Sequence, residues 1–466
     1  MKSQSGEALQ REEERSRLLL DDAARRASEY LREISQRRVS PSAAFIENLA
    51  ELSGPLPELP STPEAVLELL DRVGSPATVA TAGGRFFGFV IGGALPAALV
   101  ANWMAAAWGQ NAAMRAMSPS GASFEDAALR WVREALQLPE DCAGAIVTGA
   151  TMANFTALAG ARRALLEKAG WDVENDGLFG APALKVVVGE EVHPSLLKAL
   201  GMLGLGRKRV LRVPVDGQGR MRMDCLPELD ARTIVCFQAG NVNTGAFDPA
   251  PEICRQARKA GAWVHVDGAF GIWAAASPRY QALTRGFEEA DSWSTDGHKW
   301  PNAGYDCGLA FVRDHRALWS AMAISAAYLP AGEGREPSHF TPELSRRARG
   351  VELWAALASL GRSGLAELIE RTCAHAQRFA AGLRGAGFEI LNEVVINQVL
   401  VAFGSPERTW AVIERVQKEG TCWCGGTEWQ GRTAMRISVS SWATTTEDVE
   451  LSLAAICRAA AECQTA

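Results

Sequence analysis

The chain has 466 residues and a mass of 49.9 kDa, room for about three domains at roughly 100–200 residues each. Hydrophobic residues make up 47% and charged residues 22%, with a net charge of −6 and a pI near 5.7, which excludes disorder, collagen and a disulfide-stapled mini-fold for the whole chain. No sustained basic stripe is present, so nucleic acid is not an expected partner.

The first residues, MKSQSGEALQREEERSRLLLDDAARRASEYL, are charged from position 2 and acid-rich, unlike a secretory or transit peptide. Helical spacing over 3–36, with acids and bases interleaved, predicts one or two exposed or partner-packed helices. A proline-rich break follows at LSGPLPELPSTPE, and Ser61-Thr62-Pro63-Glu64 reads as a helix start. Between Arg85 and Arg115 lie 29 residues without Asp, Glu, Lys or Arg. That is long enough to span a bilayer at ~20 apolar residues, but Gly88, Gly92, Gly93, Pro96, Asn102 and Gly109 interrupt it. We expect loop before Pro96, then a helix over 96–109 buried in the core or at a subunit interface, not in a membrane.

Strands are expected at Gly144–Thr148, Leu184–Val188, Thr233–Gln238, Ala262–Val266 and Cys307–Val312, with helices such as Met152–Lys168 and Pro249–Ala260 between them. This alternation predicts an α/β fold with a mostly parallel sheet and crossover helices. A long helix from Gly350, strands within Glu389–Phe403, a strand at Ala434–Val439 and a helix at Thr446–Ala461 predict a smaller α+β domain. Ten dispersed cysteines and six histidines show no zinc-type spacing, so no metal is expected; reduced thiols fit a cytoplasmic protein.

The phosphate-binding, zinc-protease and nucleophile-elbow motifs are missing. What remains is a constellation. Asp267 ends the strand AWVHVD, where ligands of open α/β sheets sit. Thirty-two residues later, Lys299 stands in ADSWSTDGHKW. Upstream, VTGATMANFTAL is a strand, a tight turn and a helix beginning near Thr151, whose first N–H groups suit a phosphate. Singly, such parts are commonly a surface lysine, a capping aspartate or an ordinary βα turn. Together they are what pyridoxal phosphate needs: an amine, a carboxylate for the pyridine nitrogen and a phosphate cradle.

RFFGFVIGGALPAAL, TGATMANFTAL, EVHPSLLKA, NTGAFDP, WVHVDGAFG, ADSWSTDGHKW and YDCGLAFVR, followed by RRARGVELW, NQVLV and MRISVSSW, carry a resemblance over nearly the whole chain. It is to the group II pyridoxal-phosphate-dependent decarboxylases, among them the aromatic-amino-acid, histidine and glutamate decarboxylases. The resemblance implies the aspartate-aminotransferase-like fold (fold type I) and a homodimer with an active site built from both subunits. It also implies a dimer-swapped helical segment over 1–80, a cofactor domain over 81–350 and a small domain over 351–466.

By the same resemblance, Lys299 holds pyridoxal 5′-phosphate and Asp267 partners its ring nitrogen. Ala150 and Thr151 form the phosphate turn, His193 stacks on the ring, and His298 orients phosphate or substrate. Tyr328, in SAAYLPAGEGREPSHF, falls where the family has a mobile-loop tyrosine that can protonate Cα. Arg436 resembles an arginine that pairs with a substrate carboxylate. Phe87 and Phe89, with Phe86, lean the substrate toward an aromatic or bulky amino acid. The expected reaction is decarboxylation to the amine and CO2; the rivals are aldehyde formation, transamination, C–C cleavage on the same cofactor, or an idle scaffold.

Two departures stand out. Asp296 replaces an Asn common in the family and brings a second anion toward the phosphate, so either Thr295 takes that contact or Asp296 points away. Pro301, directly after His-Lys-Trp, stiffens the turn beyond the lysine.

Overall fold

The computed structural model describes residues 2–324 and 334–463. Seven strands form the large sheet: β1 (Ala143–Val147), β2 (Lys185–Gly189), β3 (Leu211–Val213), β4 (Thr233–Gln238), β5 (Trp263–Asp267), β6 (Ser292–Asp296) and β7 (Gly308–Val312), in the order β1-β7-β6-β5-β4-β2-β3. The run from β3 to β6 is parallel, whereas β7 lies antiparallel to both β6 and β1. Strands β4 to β7 are buried at every position, which explains their near-continuous apolar reading in β4 and β7.

Four antiparallel strands form the small sheet: β8 (Glu389–Ile390), β9 (Gln398–Ala402), β10 (Gly425–Trp429) and β11 (Arg432–Ser438), ordered β10-β11-β9-β8. The helix Arg349–Gly385 connects the two bodies. Its early residues Leu353, Ala356 and Leu357 join the large core; Ala376, Phe379 and Leu383 join the small one. Helical geometry breaks at Gly361, within the part packed on the large core, which continues through Leu365, Leu368, Ile369 and Cys373.

At the other end of the chain, a helix covers Lys2–Glu33, and Thr62 caps Pro63–Leu69 by accepting from the Ala65 N–H at 3.3 Å. The uncharged stretch gives the expected loop and then the helix Pro96–Trp108, ended by Gly109 in the left-handed region. Among the described residues no helix is long and apolar enough to cross a membrane. Before this helix the strip is sewn to the small domain: Phe87 N–H donates to the Trp423 carbonyl, and Ser438 N–H donates to the Phe87 carbonyl. A Cβ on Gly92 would lie 2.1 Å from the Lys299 carbonyl oxygen, so only glycine lets the strip pass behind the lysine.

Candidate active site

Strand periodicity assembles the floor of the site. On β5, His265 and Asp267 share one face; on β6, Ser292, Ser294 and Asp296 share the matching face, with His265 opposite Ser292 and Asp267 opposite Ser294. The helix Ala150–Lys168 crosses this face and contributes Asn154, one turn after Ala150.

Directional hydrogen bonds connect these residues in a buried chain. Trp263 Nε1–H donates to Ser292 Oγ at 2.9 Å, and that hydroxyl donates to His265 Nδ1 at 2.9 Å. His265 Nε2–H and the Ser294 hydroxyl then both donate to Asn154 Oδ1, at 2.7 and 2.6 Å. This orients the Asn154 amide so that its Nδ2–H donates to Asp267 Oδ2 at 3.3 Å. Since the Asp267 carboxylate can only accept, the Asn154 amide nitrogen faces it and its oxygen takes the His265 Nε2–H, so a neutral His265 accepts from Ser292 at Nδ1. Burial holds its pKa down near 3, consistent with that state.

Above this floor lies a cavity of about 300 Å³ lined by Ala150, Thr151, His193, Asp267, His298 and Lys299, together with Phe270 and Asp296. A larger groove of about 630 Å³ runs along the N-terminal helix, but it is open and holds none of these groups. Burial pushes the Asp267 carboxyl up, against the pull of His193, Lys299 and the Asn154 amide. Its second oxygen has no hydrogen-bond partner among the described residues, so the buried carboxylate has capacity for a cation. His193 caps the helix Pro194–Met202: Nδ1 accepts from the Ser195 N–H at 3.2 Å. Capping and cavity lining are thus combined in one residue, and burial lowers its pKa, which favours a neutral flat ring. His298 Nδ1–H donates to the Cys307 carbonyl at 2.8 Å, while its ring lies against Tyr305 at 4.4 Å between centroids. Burial lowers its pKa too, opposed by Asp296.

The phosphate turn is close-packed from below. A Cβ on Gly308 would fall 2.4 Å from Gly149, so β7 requires glycine where it passes under the turn. Asp296 contradicts both accommodations expected for it. Its Oδ1 accepts from the Ala150 N–H at 2.6 Å, and its Oδ2 pairs with Lys299 Nζ at 2.9 Å. Thr295 sits on the opposite face of β6, its hydroxyl buried without a partner, and does not line the cavity.

Other expected residues lie elsewhere. Phe87 is fully buried, edge-on to Phe379 at 5.0 Å in the small-domain core, and is therefore a packing residue; its assignment to the substrate pocket is corrected. Phe89 is 62% exposed beside Trp423, outside the cavity of this chain. Arg436, on β11, is half-buried and its guanidinium has no hydrogen bond or ion pair among the described residues, yet its charge bears on His193. Tyr328 lies outside the described residues. Asn154, His265 and Ser294 were not anticipated, although the period-two spacing around Asp267 and Asp296 was there to be read.

An amine, a cation-seeking buried carboxylate, a neutral ring and a glycine-packed helix start together fit pyridoxal phosphate. The sequence model of the pyridoxal-dependent decarboxylase conserved domain matches residues 55–404. The chain belongs to this family: its cofactor is pyridoxal 5′-phosphate and its reaction is the decarboxylation of an amino acid. It is 31% identical over 376 residues to the aromatic-L-amino-acid decarboxylase of Drosophila lebanonensis, covering 74% of this chain and 90% of that protein. It is 27% identical over 398 residues to tryptophan decarboxylase 1 of Oryza sativa subsp. japonica, covering 77% and 76%. The solved structure of Oryza sativa TDC with PLP and tryptamine shares the fold, with a TM-score of 0.87, 24% identity and coverage of 96% and 98%.

Proposed function

We propose that this protein is a homodimeric, cytoplasmic decarboxylase of aromatic L-amino acids. The observation that carries the substrate class is the 31% identity to an aromatic-L-amino-acid decarboxylase across 90% of that protein. Apolar cavity walls at Met152, Val242, Ala269 and Phe270 agree with it.

When bound, the cofactor supplies an electron sink for the pair left on Cα as CO2 departs. The chain's own residues bind and orient. Lys299 supplies the amine that holds the cofactor, and Asp267 supplies the negative charge facing its ring nitrogen. The Ala150–Thr151 turn supplies N–H donors for phosphate, and His193 supplies an uncharged ring for stacking. Arg436 has an unspent guanidinium whose fork of donors matches a substrate carboxylate. Holding that carboxylate in a site closed to water keeps the scissile bond fixed and unsolvated.

The test is mass spectrometry of products from the holoenzyme across Tyr, Trp, Phe, DOPA, His, Glu and diamino acids. Aromatic substrates should give amine and CO2 at least about tenfold faster than the rest, a ~1.4 kcal/mol preference of the size one apolar pocket contact confers. A leading acidic or diamino substrate refutes the aromatic class; aldehyde with hydrogen peroxide as the main product refutes simple decarboxylation.

For the dimer, the support is the Pro96–Trp108 helix. It exposes Val100 (59%), Trp103 (41%), Met104 (54%) and Trp108 (39%) at helical spacing, an apolar face left uncovered by the described residues of one chain. Trp103→Lys with Met104→Lys should convert a sedimenting dimer to monomer. Wild-type protein that already sediments as a monomer ends this part of the reading. The free state of all ten cysteines accords with a reducing compartment.

A further inference from the structure

Among the described residues of the cavity, Asp296 is the one charged group that the reaction does not use, and its placement is specific. Both contacts are ones that the cofactor itself requires. Ala150 N–H, 2.6 Å from Oδ1, is a first-turn donor of the helix Ala150–Lys168, the kind of group that receives a phosphate oxygen. Lys299 Nζ, 2.9 Å from Oδ2, is the amine the cofactor must engage. The backbone beneath cannot swing aside. Asp296 N–H donates to the Ala269 carbonyl at 3.1 Å, Trp273 Nε1–H donates to the Asp296 carbonyl at 3.0 Å, and Asp296 pairs with Gly308, which abuts the phosphate turn. Only rotation of the side chain could clear the cradle, and that side chain is 2% exposed.

We infer that Asp296 is a built-in rival of the cofactor phosphate: its carboxylate holds the Ala150 N–H and neutralises Lys299 while the cofactor is absent, and must be displaced when phosphate binds. The physical reason is that a carboxylate and a phosphate dianion seek the same donors and repel one another at contact distance, more strongly where water is excluded. A neutral side chain of the same size would hydrogen-bond to phosphate instead of competing with it. The consequence is a cofactor bound less tightly than the rest of the cradle allows, and so readily lost and reloaded. His298 Nε2, 3.7 Å from Oδ2, is the remaining polar neighbour and offers only a weak alternative partner.

This inference rests on the cavity being the cofactor site, and the experiment keeps the two apart. Full-length wild type, Asp296→Asn and Asp296→Ser are stripped of cofactor and checked for native circular dichroism. Each is then titrated with pyridoxal phosphate and with pyridoxal, which has the same aldehyde and ring but no phosphate, following the absorbance of the lysine-bound chromophore. Removing the like charge should tighten pyridoxal phosphate at least about tenfold more than it changes pyridoxal, which shares only the Lys299 contact; tenfold is the scale of one partly screened charge pair. Unchanged or weaker pyridoxal phosphate binding in the variants overturns the rivalry, showing that Asp296 supports the phosphate or ignores it. Equal changes for both ligands also overturn it, placing the effect on Lys299 alone. Asp296→Ser decides the matter if the Asn variant does not fold. Wild type that takes up neither ligand at Lys299 instead refutes the assignment of the cavity.

Discussion

Lys299→Ala protein, incubated with pyridoxal phosphate and reduced with borohydride, should carry no added mass, and its decarboxylation rate should fall at least about 1000-fold. Among the described residues Lys299 is the only lysine lining the cavity, so no second amine there can substitute by a small shift. A thousandfold loss corresponds to about 4 kcal/mol of transition-state stabilisation, reasonable for losing the group that fixes the electron sink beside the substrate. The alanine variant also removes the positive charge that neutralises Asp296, so charge and nucleophile are lost together. Lys299→Arg separates them: it keeps a cation within reach of Asp296 but cannot condense with an aldehyde. Both variants should therefore lack the covalent adduct, and activity should be equally poor in each. An adduct persisting in Lys299→Ala, mapped to another lysine, would remove Lys299 from the centre of the site.

The parts of this protein that the sequence displayed best were those whose local chemistry and tertiary surroundings agree. The strand Thr233–Gln238 has the expected limits because its centre, Ile234 to Phe237, is an unbroken apolar run and every position is buried. The parallel arrangement followed from strand–helix alternation, though not the antiparallel β7, since the connection over 297–307 holds no crossover helix and β6 itself reads as loop. Three strands escaped notice. Leu211–Val213 has only three residues, and Gly425–Trp429 begins with two glycines, which weaken any strand signal. Ser292–Asp296 is more instructive: both faces are buried and one of them is Ser, Ser and Asp, so it reads as loop by composition. That face is polar because it forms the floor of the site. The same reasoning explains Phe87. An aromatic residue in an uncharged run beside the site resembled a substrate contact, yet its hydrogen-bonded backbone carries it into the small-domain core. For Asp296, sequence reported the departure and its electrostatic difficulty, but whether the carboxylate faced in or out depended on strand register.

Asp267→Asn should lower kcat at least about 100-fold while leaving KM within a few fold. The substitution nearly preserves volume and can keep the acceptor oxygen for the Asn154 amide, so the change is chiefly the lost negative charge. In a buried site that charge is what favours a protonated ring nitrogen, and therefore the electron withdrawal on which CO2 loss depends. A hundredfold loss is about 2.7 kcal/mol, in the range of one charge-assisted contact screened from water. Asp267→Glu lengthens the side chain but restores the charge, and partial recovery is expected there. Asn154→Ala should have a different profile. It removes a neutral hydrogen bond to Asp267, worth roughly 1 kcal/mol. It also strands the His265 Nε2–H and leaves the Ser294 hydroxyl only its long contact to the Val266 carbonyl. Its cost should therefore divide between about tenfold in kcat and a lower melting temperature, whereas Asp267→Asn should spare the melting temperature. If Asp267→Asn retains activity within about fivefold of wild type, the carboxylate is not the ring-nitrogen partner, and the buried chain from Trp263 to Asp267 serves only to hold β5, β6 and the crossing helix together.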